Sequence, residues 1–263
     1  MNIISIDLPW NEDTKGRRTL AIADPDGNIE IALAADDNGL LELVRDTARP
    51  GSIVLLDIPI DGCDKLNGAH FRAIDTAVSH QALPALPASS AGSRGRSLRE
   101  SLEKTRKGLG VYEIYPYAIY KFLAYLKNRE SLRYLATGEF DSLLNDSFRR
   151  FWPPKYKRET EKHKRVKNMQ YLYSLLTDPI LDLKFSAPLQ RPDNSCTSGE
   201  LNRLCDEYDA CLGAIVGIYF AGSSSYACLA GDSNSGSILL LADRWLSERL
   251  GREVKVSNLN RGV

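Results

Sequence analysis

The sequence predicts an α/β protein built on a mixed sheet flanked by helices, and three observations predict it. Two apolar runs near the N-terminus are joined by the turn Asp24-Pro25-Asp26-Gly27, where Gly supplies the positive φ of a hairpin. Strand-length runs that are apolar almost throughout recur further along, as in a parallel sheet covered on both faces. Stretches of helical period separate them, which is the pattern of βαβ crossovers.

Asn2 to Ile6 is a short β-favouring run that ends in Asp7 and Pro9. Arg18 to Ala23 and Ile29 to Leu33 are the two arms of the hairpin. Asp37 to Ala48 carries Leu40, Leu41 and Val44 at helical spacing, with Asp36 or Asp37 as cap and Pro50-Gly51 as stop. Ser52 to Leu56 reads as a strand buried on both faces. Leu109 to Ile114 is a further strand that runs into Pro116, and Tyr117 to Leu126 continues as a helix. Glu200 to Ala221 is a long helix, apolar all round in its second half and therefore buried there. Gly231 to Leu241 reads as a turn and a strand, and Arg244 to Leu250 as a last short helix. Pro84 to Ser97 reads as a mobile loop, and Asp178 to Thr197 as irregular chain. With no internal repeat and no second core of convincing size, one domain is expected over 1–263.

Composition narrows the function classes. Lys plus Arg and Asp plus Glu number 34 each, so a polyanion would have to meet a local patch rather than a global field. No apolar stretch is long enough for a bilayer; the longest, Ala210 to Ala221, suits a buried helix, and no membrane partner is expected. The N-terminus offers no basic leader region. Five cysteines without a Cys-x-x-Cys pair point to free thiols in a cytoplasmic protein. His70, His80 and His163 lack ligand spacing for zinc, no G-x-S-x-G elbow surrounds the serines, and neither glycine-rich phosphate motif occurs.

What remains is a set of carboxylates. Asp7 and Asp57 each follow a buried-looking strand, in ISIDLPW and VLLDIPI, at the strand ends where open α/β sheets bind ligands. If those strands are neighbours, about 4.8 Å apart, the two carboxylates can share one ion. Glu113, in VYEIYPY, closes a third such strand. Asp206 and Asp209 lie three apart on the long helix and project from one face. Taken singly, an aspartate at a strand end is usually a cap or turn former. Taken together, such carboxylates repel unless a cation intervenes, and the natural one is a hard, oxygen-liganded ion such as Mg²⁺ or Mn²⁺. Two such ions can activate a water and stabilise the leaving oxygen of a phosphodiester.

The stretch RRFWPPKYKRETEKHKRVK, from Arg149 to Lys167, is the clearest charge asymmetry. Lys155, Tyr156, Lys157, Arg158 and Lys164, with Trp152, suit a phosphate-tracking, base-stacking surface, and a solvated helix face is the plainer reading. Arg72 and Asp75, in HFRAIDTAV, lie three apart on an expected helix. They form a simple ion pair, or Arg72 joins the carboxylates and contacts substrate.

ISIDLPW, LLDIPIDG, FRAID, VYEIYPYA, PPKYKRE, DEYDACLGAIVGIYFAG and GDSNSGSILLL, in this order, resemble the predicted nucleases grouped as domain of unknown function 429. The resemblance runs over nearly the whole chain, although each motif is short. It implies a ribonuclease H-like fold, a five-stranded mixed sheet with strands 1, 4 and 5 parallel, and insertions over about 61–107 and 127–199. It implies a two-metal-ion nuclease acting on DNA or RNA, with Asp7 as central ligand, Asp57 second, and Asp209, with Asp206, last. Glu113 matches the family's glutamate before the tyrosine-proline pair. Ser5-Ile6 replaces the family's usual glycine before the first aspartate, and Pro9 its alanine, which argues against the actin-like ATPase branch. A catalytically silent nucleic-acid-binding or protein-interaction module, and a nucleotide hydrolase or phosphotransferase, are the competing readings.

Overall fold

The structure is a computed structural model that describes residues 1–9, 16–66, 69–84, 87–90, 93–157 and 159–258. Its centre is strand β1 (Ile3–Asp7), buried along its whole length. β1 pairs antiparallel with β2 (Arg18–Ala23), which pairs antiparallel with β3 (Asn28–Ala34). The hairpin closes as expected: Gly27 takes φ +81°, and the Asp24 carboxylate accepts the N–H groups of Asp26 and Asn28, both at 3.0 Å. Helix α1 (Asp37–Thr47) follows, capped by Asp36, whose Oδ1 accepts from Gly39 N at 2.8 Å. It returns the chain to β4 (Ile53–Leu56), which lies parallel to β1.

Helices α2 (Ala73–His80) and α3 (Arg94–Thr105) then lead to β5 (Gly110–Glu113), parallel to β4. The stretch read as a loop to Ser97 therefore ends earlier, because Arg94 to Ser97 already belong to α3. Close packing holds them: Arg94 pairs with Asp37 at 3.1 Å, and a Cβ on Gly95 would stand 1.9 Å from the Pro59 carbonyl.

Helices α4 (Pro116–Asn128), α5 (Leu132–Thr137), α6 (Asp146–Arg150) and α7 (Lys162–Leu176) come next. A two-residue strand β6 (Lys184–Phe185), inside the stretch read as irregular, adds to the edge at β3. Among the described residues the main sheet thus has six strands, in the order β5-β4-β1-β2-β3-β6, rather than five. The long helix α8 (Ser198–Ala221) starts with a capping box between Thr197 and Glu200. Beyond it, β7 (Ala227–Asp232), β8 (Gly236–Leu241) and β9 (Val256–Asn258) form a second, three-stranded sheet, with α9 (Arg244–Leu250) between the last two. One parallel bridge, Ile114 to Leu239, joins it to the β5 edge.

The two faces of the main sheet carry separate cores. Ile4, Ile6, Val54 and Leu56 face the core that includes Leu40 and Val44 of α1 and Leu98 and Leu102 of α3. Ile3 and Leu55 face the larger core that holds α4, α7 and α8. Alternation along a strand therefore sends Ser5 and Asp7 to the α8 side. No helix among the described residues is long and apolar enough to cross a membrane.

Candidate metal centre

Two glycines set the geometry of the site. A Cβ on Gly213 would stand 2.0 Å from Ser5 Oγ, and one on Gly217 would stand 2.3 Å from Ile3 Cγ2. Only hydrogen at both positions lets α8 lie this close to β1. Four helical residues rise about 6 Å, and two strand residues about 6.6 Å. The ladder Gly217–Ile3, Gly213–Ser5 therefore runs on to Asp209 opposite Asp7. Asp57 follows Leu55 on the same face, one step past β4, and its N–H donates to the Ile6 carbonyl at 3.1 Å. Asp7, Asp57 and Asp209 each offer a carboxylate oxygen, and these oxygens all lie within 4.8 Å of one another. All three residues are buried, at 7%, 9% and 2% exposure. The trio could hold a metal ion.

Lys157 completes the arrangement. Its ammonium donates to Asp7 Oδ1 at 3.4 Å and to Asp209 Oδ2. Its side chain is 42% exposed, so the cluster meets solvent on the lysine's side. Tyr156, next to it, is buried and donates its hydroxyl to Asp209 Oδ1. Asp206 lies one helical turn before Asp209 and shares a hydrogen bond with Asp7, beside the trio.

Crowding shows in the proton affinities. Burial first, and then Asp7 and Asp209, push Asp57 well above the ordinary carboxylate range, with Lys157 opposing. Burial, then Asp7, raises Asp206 to about 7. Burial raises Asp209 to about 6, against Lys157 and the Tyr156 hydroxyl. Burial alone would lower Lys157, but Asp209, Asp7 and Asp57 outweigh it and hold the ammonium charged.

Carboxyls whose folded pKa is raised keep protons that the unfolded chain has lost. Their contribution to stability is complete below about pH 4 and is lost as pH rises through about 6 to 7. Asp57→Asn removes one such group. Its stability relative to wild type, measured by urea unfolding without divalent ions, is expected to improve from pH 5 to pH 8. An unchanged difference between the two pH values would contradict this.

Other expected site residues lie elsewhere. Pairing of Glu113 with Leu56 turns the glutamate to the face opposite Asp57. There its carboxylate accepts from Ile60 N at 2.8 Å and from Arg72 Nη1 at 2.7 Å. Arg72 is 3% exposed, and its fork also bonds Asp75, Tyr115 and the Asp61 carbonyl. It is an internal tie and is not placed to meet a substrate. Nor is Tyr156 a stacking platform, since it is 1% exposed. Lys155 and Lys164 are exposed, Lys164 beside Glu161 on α7, and Arg158 lies outside the described residues. Half-exposed Trp152 carries the Lys121 ammonium 4.0 Å from its ring centre. Nothing local in the sequence separates Lys157 from the neighbouring lysines, and its place inside the cluster appears only in the fold.

Comparisons with protein-family models, with curated proteins and with solved structures found no match to the chain.

Proposed function

We propose that this protein is a metal-dependent nuclease that hydrolyses phosphodiester bonds, on a ribonuclease H-like sheet. The observation that carries the reading is the convergence of Asp7, Asp57 and Asp209, from two strand ends and a helix, to within 4.8 Å. The parallel pairing of β1, β4 and β5 agrees with that fold. The donor set fits Mg²⁺ or Mn²⁺: all oxygen, anionic, and crowded enough that protons or an ammonium must otherwise offset the repulsion. Asp7, Asp57 and Asp209 would hold the ion, with Asp206 beside them. When bound, it supplies Lewis acidity toward a phosphoryl oxygen and acidifies water.

The chain's own residues do the rest. The Tyr156 hydroxyl holds Asp209 by its hydrogen bond to Oδ1, and Lys157 brings positive charge to the solvent side, where a phosphate would arrive. Lys155 and Lys164, exposed on the same basic stretch, extend that charge for the backbone of DNA or RNA. One observation favours a silent binding module instead: Lys157 already neutralises part of the cluster.

The test is cleavage of labelled single- and double-stranded DNA and RNA with Mg²⁺ or Mn²⁺, and with chelator. Cleavage that needs the ion and is lost in Asp209→Asn supports the nuclease. Retained binding without cleavage, abolished by charge reversal at Lys155, Lys157 and Lys164, would identify the binding module. Phosphate release from a mononucleotide alone would identify a nucleotide hydrolase.

A further inference from the structure

Lys157 reaches the aspartates from a segment that is unusually well held. Each of the four carbonyls before it accepts a side-chain hydrogen bond from α4 or α7. Tyr117 Oη donates to the Pro153 carbonyl at 3.1 Å, and Tyr120 Oη to that of Pro154 at 3.3 Å. Asn168 Nδ2 donates to the Lys155 carbonyl at 2.7 Å, and Arg165 Nε to that of Tyr156 at 3.2 Å. The rings interlock as well: Tyr156 stacks on Tyr117 with centroids 6.0 Å apart and meets Tyr120 edge-on at 5.4 Å. A basic residue that merely decorated a surface would need none of these ties. They fix the Cα of Lys157 beside the cluster, so its ammonium is a built part of the site.

Charge and lone pairs then limit what else the site can take. The three carboxylates whose oxygens converge carry a formal charge that one ammonium and one divalent ion match, and Asp206, outside that trio, is neutral while it shares a proton with Asp7. A second divalent ion would leave an excess of positive charge, or would have to expel Lys157 from Asp7 and Asp209. Each oxygen of Asp209 already accepts one hydrogen bond, Oδ1 from Tyr156 and Oδ2 from Lys157, so one lone pair on each is left for an ion.

We infer that Lys157 stands in place of a second metal, so that the site loads a single divalent ion and the lysine meets the negative charge a second ion would meet. This rests on the proposed nuclease reading, and it departs from the two ions that the family resemblance implies. Lys157 is a positioning and charge-supplying residue, held by Tyr117, Tyr120, Asn168 and Arg165.

The test counts bound Mn²⁺ on the full chain by equilibrium dialysis, with electron paramagnetic resonance as a second readout. Wild type should bind one Mn²⁺ and show the spectrum of an isolated ion. Lys157→Met should bind two and show an exchange-coupled pair, while Lys157→Arg should stay at one. Circular dichroism on each variant establishes that it is folded. Two ions in the wild type, or one in both wild type and Lys157→Met, would overturn the inference and leave the metal-dependent reading standing. No Mn²⁺ bound by wild type, with Asp7→Asn indistinguishable from it, would overturn both.

Discussion

Asp7→Asn is expected to remove the divalent-ion-dependent cleavage proposed for this site while leaving the metal-free protein at least as stable as wild type. Asp7 ends the central strand and has acidic neighbours in Asp57, Asp206 and Asp209. It shares hydrogen bonds with Asp57 and Asp206 and raises both, and it lies with Asp209 in the same trio. An amide keeps the shape and one acceptor oxygen but withdraws an anionic ligand. The electrostatic contribution at stake is several kcal/mol, about a thousandfold in rate. Stability should move the other way. The substitution relieves repulsion on Asp57 and Asp206, and Lys157 keeps its partner in Asp209. A gain of about 1 kcal/mol is the expected scale for such relief. Cleavage rate and urea midpoint, measured on one preparation, read both. Activity within tenfold of wild type, or a midpoint well below it, would contradict the expectation.

Much of the fold and half of the site could be read from residues alone, for identifiable reasons. The hairpin was legible because Gly27 sits where a left-handed φ is needed. Helix α1 (Asp37–Thr47) was legible because Asp36 caps it and its apolar residues keep helical period. Asp7 and Asp57 announced themselves as lone charges closing apolar strands, and Asp209 as a charge opening the apolar half of a helix. Their convergence depends on Gly213 and Gly217, whose purpose appears only once β1 lies beneath α8. Glu113 shows the limit. It has the same strand-to-carboxylate signature, but its fate turns on strand register, and a step of one residue sends a side chain to the other face. β6 and β9 are too short to carry a period, and most of β7 lies before the turn and strand expected over Gly231 to Leu241, in Ala, Cys and Gly residues that carry little β preference.

Glu113 and Arg72 carry the second large expectation. Arg72→Met should lower stability by about 3–5 kcal/mol, the cost of leaving buried charge uncompensated. Arg72 and Asp75 side chains are 1% and 0% exposed, and Glu113 is equally buried. Burial alone would disfavour the guanidinium, but Glu113 and Asp75 more than offset this and keep it charged. Burial likewise lifts Glu113 while Arg72 draws it down. The fork ties α2 to the end of β5 and, through the Asp61 carbonyl at 2.9 Å, to the loop that follows Asp57. Methionine fills the volume and satisfies none of these acceptors. If uncompensated charge is the cause, adding Glu113→Gln and Asp75→Asn to Arg72→Met should recover part of the loss. Glu113→Gln alone should leave Mn²⁺ binding at the aspartates unchanged, since its carboxylate faces the other way. Urea unfolding and metal titration on these variants separate the two roles. A loss under about 1 kcal/mol for Arg72→Met would reduce the network to an ordinary surface pair. Loss of the bound ion in Glu113→Gln would return that glutamate to the metal centre.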